Sequence, residues 1–352
     1  MLDDLEFISK IDKSNQIRKI EKFPFQINEA IEIVDKLQIN KIFKINNIIF
    51  NGMGGSAISG DIIKTLFINR LNIPIYVNRS YNLPKWANKN TLVITQSYSG
   101  NTEETLSAFK QAYQKKCKTI SISSGGKLEE YCQNRGITHV KIPSGYVPRG
   151  AIAYFIFISL KILEKIGLTT NILKIDIEEL IEITNVIIKD NNLKIPKEKN
   201  TSKKIAQKIF GTIPQIYGWD IYSPIAKRWS TQFNENSKLI SKFDIVSESN
   251  HNDIVGWSQN YEISKKFSCI IFRDKSIESI YMSNRLDFMK TLYSDVAANV
   301  IEVEAKGKNT ISKMISTMYL GDFISFYLAI LRKIDPTPVP IIDELKERIN
   351  SI

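Results

Sequence analysis

Nine short apolar runs rich in isoleucine and valine punctuate this chain, and the residues between them are spaced for helices. In the N-terminal half the runs are Lys44 to Phe50, Pro74 to Val77, Leu92 to Thr95, Thr119 to Ser123 and His139 to Ile142. In the C-terminal half the same order recurs in weaker form at Ile213 to Tyr217, Lys242 to Val246, Ser268 to Phe272 and Asn299 to Val303. Strands that alternate with helix-length segments predict an α/β fold whose sheets are parallel and covered on both faces. The two series resemble each other in pattern, with low sequence identity, which predicts two similar α/β halves.

The length of 352 residues exceeds that of one ordinary domain and leaves room for two cores. The first thirty-nine residues read as helical, with apolar positions at helical spacing from Ile27 to Leu37. The polar stretch Lys189 to Lys204 (KDNNLKIPKEKNTSKK) is the expected boundary. It divides the chain into residues 1–190, with the N-terminal helical segment and a connecting helix, and residues 200–352, with a C-terminal helix. That last helix, Ile341 to Ile349, follows a proline-broken segment from Asp335 to Pro340. Its apolar positions Ile342, Leu345 and Ile349 are expected to dock against the body.

Composition argues against several classes of function. The first ten residues are acidic and polar, unlike a secretory signal, so a cytoplasmic protein is expected. The most apolar stretches, Ala151 to Leu163 and Tyr319 to Leu331, are interrupted by polar residues and shorter than the roughly 20 residues a membrane span needs; they are expected to be buried helices. Three separated cysteines (Cys117, Cys132, Cys269) suggest neither a disulfide framework nor a zinc site, and two histidines leave little material for a metal centre. Metal-free, cofactor-free chemistry is expected. The net charge of +11 is scattered through an Ile/Lys/Asn-rich chain and forms no basic stripe interleaved with aromatics. No nucleic-acid partner is therefore expected, while small anionic substrates are favoured by the general positive field.

Two loops that follow strands of the first half carry the clearest chemistry. Asn51-Gly52-Met53-Gly54-Gly55-Ser56 leaves one strand and enters a helix, and its glycines permit close approach of backbone to a ligand or to a packing neighbour. Ser97-Tyr98-Ser99-Gly100-Asn101-Thr102-Glu103-Glu104-Thr105 adds hydroxyls just before a second helix. There, free N–H groups and the helix dipole suit a phosphate. Asn101 with Glu104 reads as a capping box, which accounts for part of this pattern but not for Ser97 and Ser99.

Together NGMGGSAISGD and SYSGNTEET resemble the paired phosphosugar loops of sugar-isomerase (SIS) domains, in that order and at that spacing. With the later motifs, the chain resembles the bifunctional phosphoglucose/phosphomannose isomerase family. The resemblance implies two SIS-type halves, and it implies that Gly55, Ser56, Ser97, Ser99 and Thr102 hold the substrate phosphate. Ser59 stands where the family pattern SAIGGD has glycine.

Moving a proton between C1 and C2 of a sugar requires a base and a group that stabilises the enediolate, and ring opening needs acid and base as well. From the residues alone, Glu235 reads more readily as a helix-surface carboxylate and Arg149 and Lys346 as solvated cations, while His251 reads equally as a lone surface histidine. The resemblance assigns them roles. QFNEN is similar to the segment bearing the proton-transfer glutamate, here Glu235; SNHND to the segment whose histidine opens the ring, here His251. PRG is similar to the triplet whose arginine stabilises the enediolate, here Arg149, and DPTPVPIIDELK assigns Lys346 to ring opening beside the histidine. In that family the histidine reaches the neighbouring subunit's site, which implies a homodimer. Interconversion of glucose 6-phosphate, mannose 6-phosphate and fructose 6-phosphate, as in glycolysis and gluconeogenesis, is the implied activity. A non-catalytic sugar-phosphate sensor or an isomerase of another phosphosugar would keep the same phosphate loops, so Glu235 and His251 discriminate.

Overall fold

All nine apolar runs form strands in the computed structural model, which describes residues 1–170, 172–259 and 261–350. The N-terminal sheet contains β1 (Asn47–Asn51), β2 (Ile75–Asn78), β3 (Thr91–Gln96), β4 (Lys118–Ser123) and β5 (Thr138–Lys141), in the order β2-β1-β3-β4-β5 and parallel throughout. Every residue of β3 is buried, as the unbroken apolar run requires of a strand covered on both faces. The covering helices include Gly54–Phe67, Glu103–Gln114 and Ile152–Lys165; Ala153 to Leu160 of the last is buried on all sides.

The C-terminal sheet contains β6 (Ile213–Trp219), β7 (Lys242–Val246), β8 (Phe267–Arg273) and β9 (Asn299–Glu304), in the order β7-β6-β8-β9, again parallel. The repeated α/β pattern is therefore one sheet per half, each flanked by helices.

The chain divides into two compact units, and their composition differs from a split between residues 190 and 200. One unit gathers residues 22–185 and 307–315; the other gathers 1–21, 186–306 and 316–352. The polar stretch Lys189 to Lys204 thus lies inside the second unit. Its lysine-rich composition suggests a solvated linker, but Lys203 is fully buried, and its Nζ donates to Asp3 Oδ1 (2.9 Å) and to the carbonyls of Leu193 and Ile195. Burying an ammonium requires such partners, and one of them is an N-terminal carboxylate. That bond draws residues 1–21 to the C-terminal unit.

One helix expectation holds in a longer form and one is corrected. The apolar run at Tyr319 belongs to a longer helix, Thr310–Leu331, which by length and composition is apolar enough to cross a membrane but is mostly buried inside the protein. On the final helix, Pro340–Asn350, the positions expected to dock are open to solvent within the chain: Ile342 is 37%, Leu345 57% and Ile349 39% exposed. Helical periodicity correctly marks an apolar face but says nothing of what covers it.

Candidate active site

β1 and β3 are neighbours, yet the chain leaves β1 toward β2 on one side and returns to β3 on the other. Such a reversal of strand order opens a crevice at the carboxyl ends of the two strands, where α/β sheets bind ligands. Both loops singled out in the sequence sit there. They are close together: a Cβ on Gly52 would lie 2.8 Å from the carbonyl oxygen of Gln96, the residue before Ser97.

The first loop enters the helix Gly54–Phe67 through Gly54 at φ +50°, a conformation that favours glycine. Gly55 and Ser56 form its first turn. The second loop enters the helix Glu103–Gln114, whose N-cap is Thr102. Neither N-cap residue, Met53 or Thr102, turns its side chain onto the helix's own N–H groups. No side-chain cap therefore covers the first-turn N–H groups, which sit at the positive end of each helix dipole. Thr102 Oγ1 instead shares a 3.0 Å hydrogen bond with Ser97 Oγ, and Ser99 Oγ accepts from the Asn101 N–H at 3.2 Å. The capping box read at Asn101 and Glu104 is not formed: Asn101 Oδ1 accepts from Lys127 N–H (3.0 Å), at the start of another helix.

Ser59 is buried, and its hydroxyl lies within bonding distance of the Ser56 carbonyl and of Gln96 Oε1. Gln96 Nε2 donates in turn to Ser159 Oγ at 2.7 Å. The Ser59 hydroxyl therefore ties the two loops to one another, and through Gln96 to the helix Ile152–Lys165 beneath them.

Arg149 lies in a short 3-10 turn, Pro148–Ala151, and is 1% exposed. Its backbone runs against the first loop, since a Cβ on Gly55 would stand 3.2 Å from Arg149 Cα and 3.4 Å from Pro148 O. A Cβ at 55 would press on this backbone by a few tenths of an ångström, so glycine eases the approach. Gly55, Ser56, Ser97, Ser99, Thr102 and Arg149 thus belong to one unit and one set of neighbouring loops.

Glu235, His251 and Lys346 belong to the other unit. Glu235 is half-buried at the end of the helix Ser223–Glu235. That helix is anchored by a buried ion pair, Arg228 to Asp322 (3.2 Å), by Gln232 Nε2 donating to Asp322 Oδ1 (2.6 Å), and by Trp229 Nε1 donating to Thr317 O (2.9 Å). Beyond its end, Lys238 Nζ donates to the carbonyls of Glu235, Asp335 and Pro336, joining the glutamate's backbone to the proline-broken segment.

His251 ends a 3-10 turn, Glu248–His251, and is exposed. Two residues on, Asp253 Oδ2 accepts from Tyr217 Oη (2.7 Å) and Trp257 Nε1 (3.0 Å), so the loop is rooted in the sheet while the imidazole faces solvent. Lys346 is 66% exposed and forms an ion pair with Asp343 at 3.7 Å on its own helix. The three share a unit, but within the chain His251 and Lys346 are turned to solvent.

Sequence reasoning missed the residues that hold these groups. Tyr98 Oη donates to Pro143 O and accepts from Tyr146 N–H, and Asp322 anchors the Glu235 helix. Gly321 is the one visible signal for the latter, a glycine in an apolar helix; a Cβ there would lie 2.3 Å from Trp229 Nε1.

The comparisons with known proteins bear out the fold. Residues 198–349 match the bacterial phospho-glucose isomerase C-terminal SIS domain family, and residues 41–144 match the SIS domain family. The bifunctional phosphoglucose/phosphomannose isomerase of Caldicellulosiruptor bescii is 38% identical, over 94% of this chain and 97% of its own. The chain belongs to the bifunctional phosphoglucose/phosphomannose isomerase family. The family member from Aquifex aeolicus is 34% identical over 86% of this chain and 90% of its own. Among solved structures, a hypothetical protein of Thermus thermophilus superposes with a TM-score of 0.76 at 11% identity, covering 98% of this chain and 92% of that one; at that identity the likeness shows the SIS fold alone.

Proposed function

We propose that this family member interconverts glucose 6-phosphate and fructose 6-phosphate, and mannose 6-phosphate and fructose 6-phosphate, as a cytoplasmic enzyme of glycolysis and gluconeogenesis. The observation that carries the reading is the pair of uncapped helix N-termini after β1 and β3, with Ser97, Ser99 and Thr102 beside them and Arg149 packed on Gly55.

In this reading the phosphate is held by Gly55, Ser56, Ser97, Ser99 and Thr102. His251, with Lys346, opens the sugar ring. Glu235 takes the proton from C2 of the open-chain aldose and returns it to C1, while a second proton passes from the C2 hydroxyl to the C1 oxygen. The cis-enediolate between these steps is stabilised by Arg149, whose guanidinium stays charged and needs no proton of its own. Both C2 epimers share that intermediate, so rotation about the C2–C3 bond before reprotonation allows glucose and mannose phosphates to be handled by one site.

A homodimer belongs to the same reading, with His251 acting in the neighbouring subunit. Its support is that the imidazole of His251 faces solvent on a firmly rooted loop. The apolar face of the helix bearing Lys346 is likewise open.

The test incubates purified protein with fructose 6-phosphate, with and without EDTA, and separates the products by chromatography. Glucose 6-phosphate and mannose 6-phosphate, both undiminished by EDTA, are expected. Glucose 6-phosphate alone removes the mannose half of the reading. No product overturns it in favour of a sugar-phosphate sensor or an isomerase of another phosphosugar.

A further inference from the structure

Tyr98 stands between two residues of the phosphate loop, Ser97 and Ser99, but its side chain turns into the protein. Its backbone is pinned from one side, since the Tyr98 carbonyl accepts from both the N–H (2.9 Å) and the hydroxyl (2.7 Å) of Ser124. Its phenol reaches the other way. Tyr98 Oη accepts from Tyr146 N–H at 2.8 Å and donates to Pro143 O at 3.1 Å. Pro143 and Tyr146 bracket the turn through Gly145, at φ +91°, that delivers the chain to Pro148 and Arg149. Arg149 in turn packs its backbone on Gly55 of the first loop. A closed circuit results: second phosphate loop, Tyr98 hydroxyl, Pro143 to Tyr146, Arg149, first phosphate loop.

We infer that Tyr98 is a positioning residue, whose hydroxyl fixes the Pro143–Tyr146 segment so that Arg149 is held in register with the loops that seat the phosphate. The inference rests on the function proposed above, and it gives the residue between the two serines a task they do not share. Ser97 and Ser99 offer hydroxyls to the ligand side; Tyr98 carries the loop's position to the arginine. Burial raises the phenol's pKa, so the hydroxyl keeps the proton it donates to Pro143 throughout the neutral range. Tyr146 has a second anchor, its ring lying 5.8 Å from that of Tyr154. Removing the Tyr98 hydroxyl should therefore loosen the segment without detaching it.

Tyr98→Phe keeps the ring that fills the site and deletes only the bridge. With fructose 6-phosphate as substrate, kcat is expected to fall about 10- to 100-fold, as for a displaced catalytic group, while KM stays within about twofold. Combined with Arg149→Ala, the same change should cost no further activity, because the residue it positions is gone. A rise in KM with kcat kept, or an equal loss in both backgrounds, overturns the inference. The wild-type protein, assayed alongside, judges the proposed function separately. Should it prove inactive, hydrogen exchange at the Tyr146 amide still decides: faster exchange in Tyr98→Phe supports the bridge, and an unchanged rate overturns it.

Discussion

Ser97 Oγ and Thr102 Oγ1 lie 3.0 Å apart, bonded to each other across the turn that opens the helix Glu103–Gln114. Each hydroxyl has one proton and room for more than one bond, so the pair keeps itself satisfied and holds a donor ready for an anion. The helix behind them starts without a side-chain cap, because Thr102 is engaged with Ser97 instead.

Replacing both hydroxyls, Ser97→Ala with Thr102→Ala, should therefore weaken substrate binding more than turnover. A rise in KM of about tenfold or more, with kcat changed far less, is the expected result for contacts made equally in ground and transition states. Steady-state kinetics with fructose 6-phosphate, backed by inhibition with inorganic phosphate, measures it. An unchanged KM and phosphate inhibition would remove these residues from the phosphate site.

Glu235→Gln should abolish isomerisation, by about a thousandfold or more, because an amide cannot accept the C2 proton. The half-buried side chain is conserved in shape, and the anchors of its helix at Arg228, Trp229 and Gln232 are untouched. Calorimetry should thus find sugar-phosphate affinity within a few-fold of the parent. Retained turnover would show that another group is the base.

Two glycines at positive φ should respond differently to alanine. Gly100 has φ +68°, and a Cβ there would fall 1.8 Å from Gly125 O, so Gly100→Ala must displace backbone in the loop from Ser97 to Thr102. A loss of roughly 3 kcal/mol or more is expected. Gly136 has φ +62° with open space around it, and Gly136→Ala should cost only the backbone strain, about 1 kcal/mol. Thermal or urea unfolding of the two variants compares them directly; equal losses would contradict the close packing of Gly100 on Gly125.

His139 gives the fold a pH dependence separate from catalysis. Its Nε2 lies 2.8 Å from Ser123 Oγ, and burial holds its pKa below the ordinary histidine value. The unfolded chain then binds a proton at higher pH than the folded one. The stabilisation is complete above the ordinary value of about 6.5 and is lost as pH falls through the lowered one. Melting temperatures from pH 7 downward should fall more steeply for the parent than for His139→Gln. Parallel curves would mean that the imidazole titrates alike in both states.

Much of this architecture can be read from local pattern. β-branched runs from Lys44 to Phe50 and from Leu92 to Thr95 became β1 and β3 because buried parallel strands must be apolar on both faces, a requirement written into consecutive residues. The two hydroxyl- and glycine-bearing loops were legible for the same reason, since strand, tight turn and helix start are contiguous in the chain. Tertiary structure alone decided matters in which the partner is remote. Asn101 abandons its own helix to receive Lys127, Lys203 draws in Asp3, Tyr98 reaches Pro143 and Tyr146, and the apolar stripe of Ile342, Leu345 and Ile349 stays open. Periodicity and capping preferences describe what a segment can do with its near neighbours. Which donor meets which acceptor after the chain has folded depends on packing between segments that no local spacing encodes.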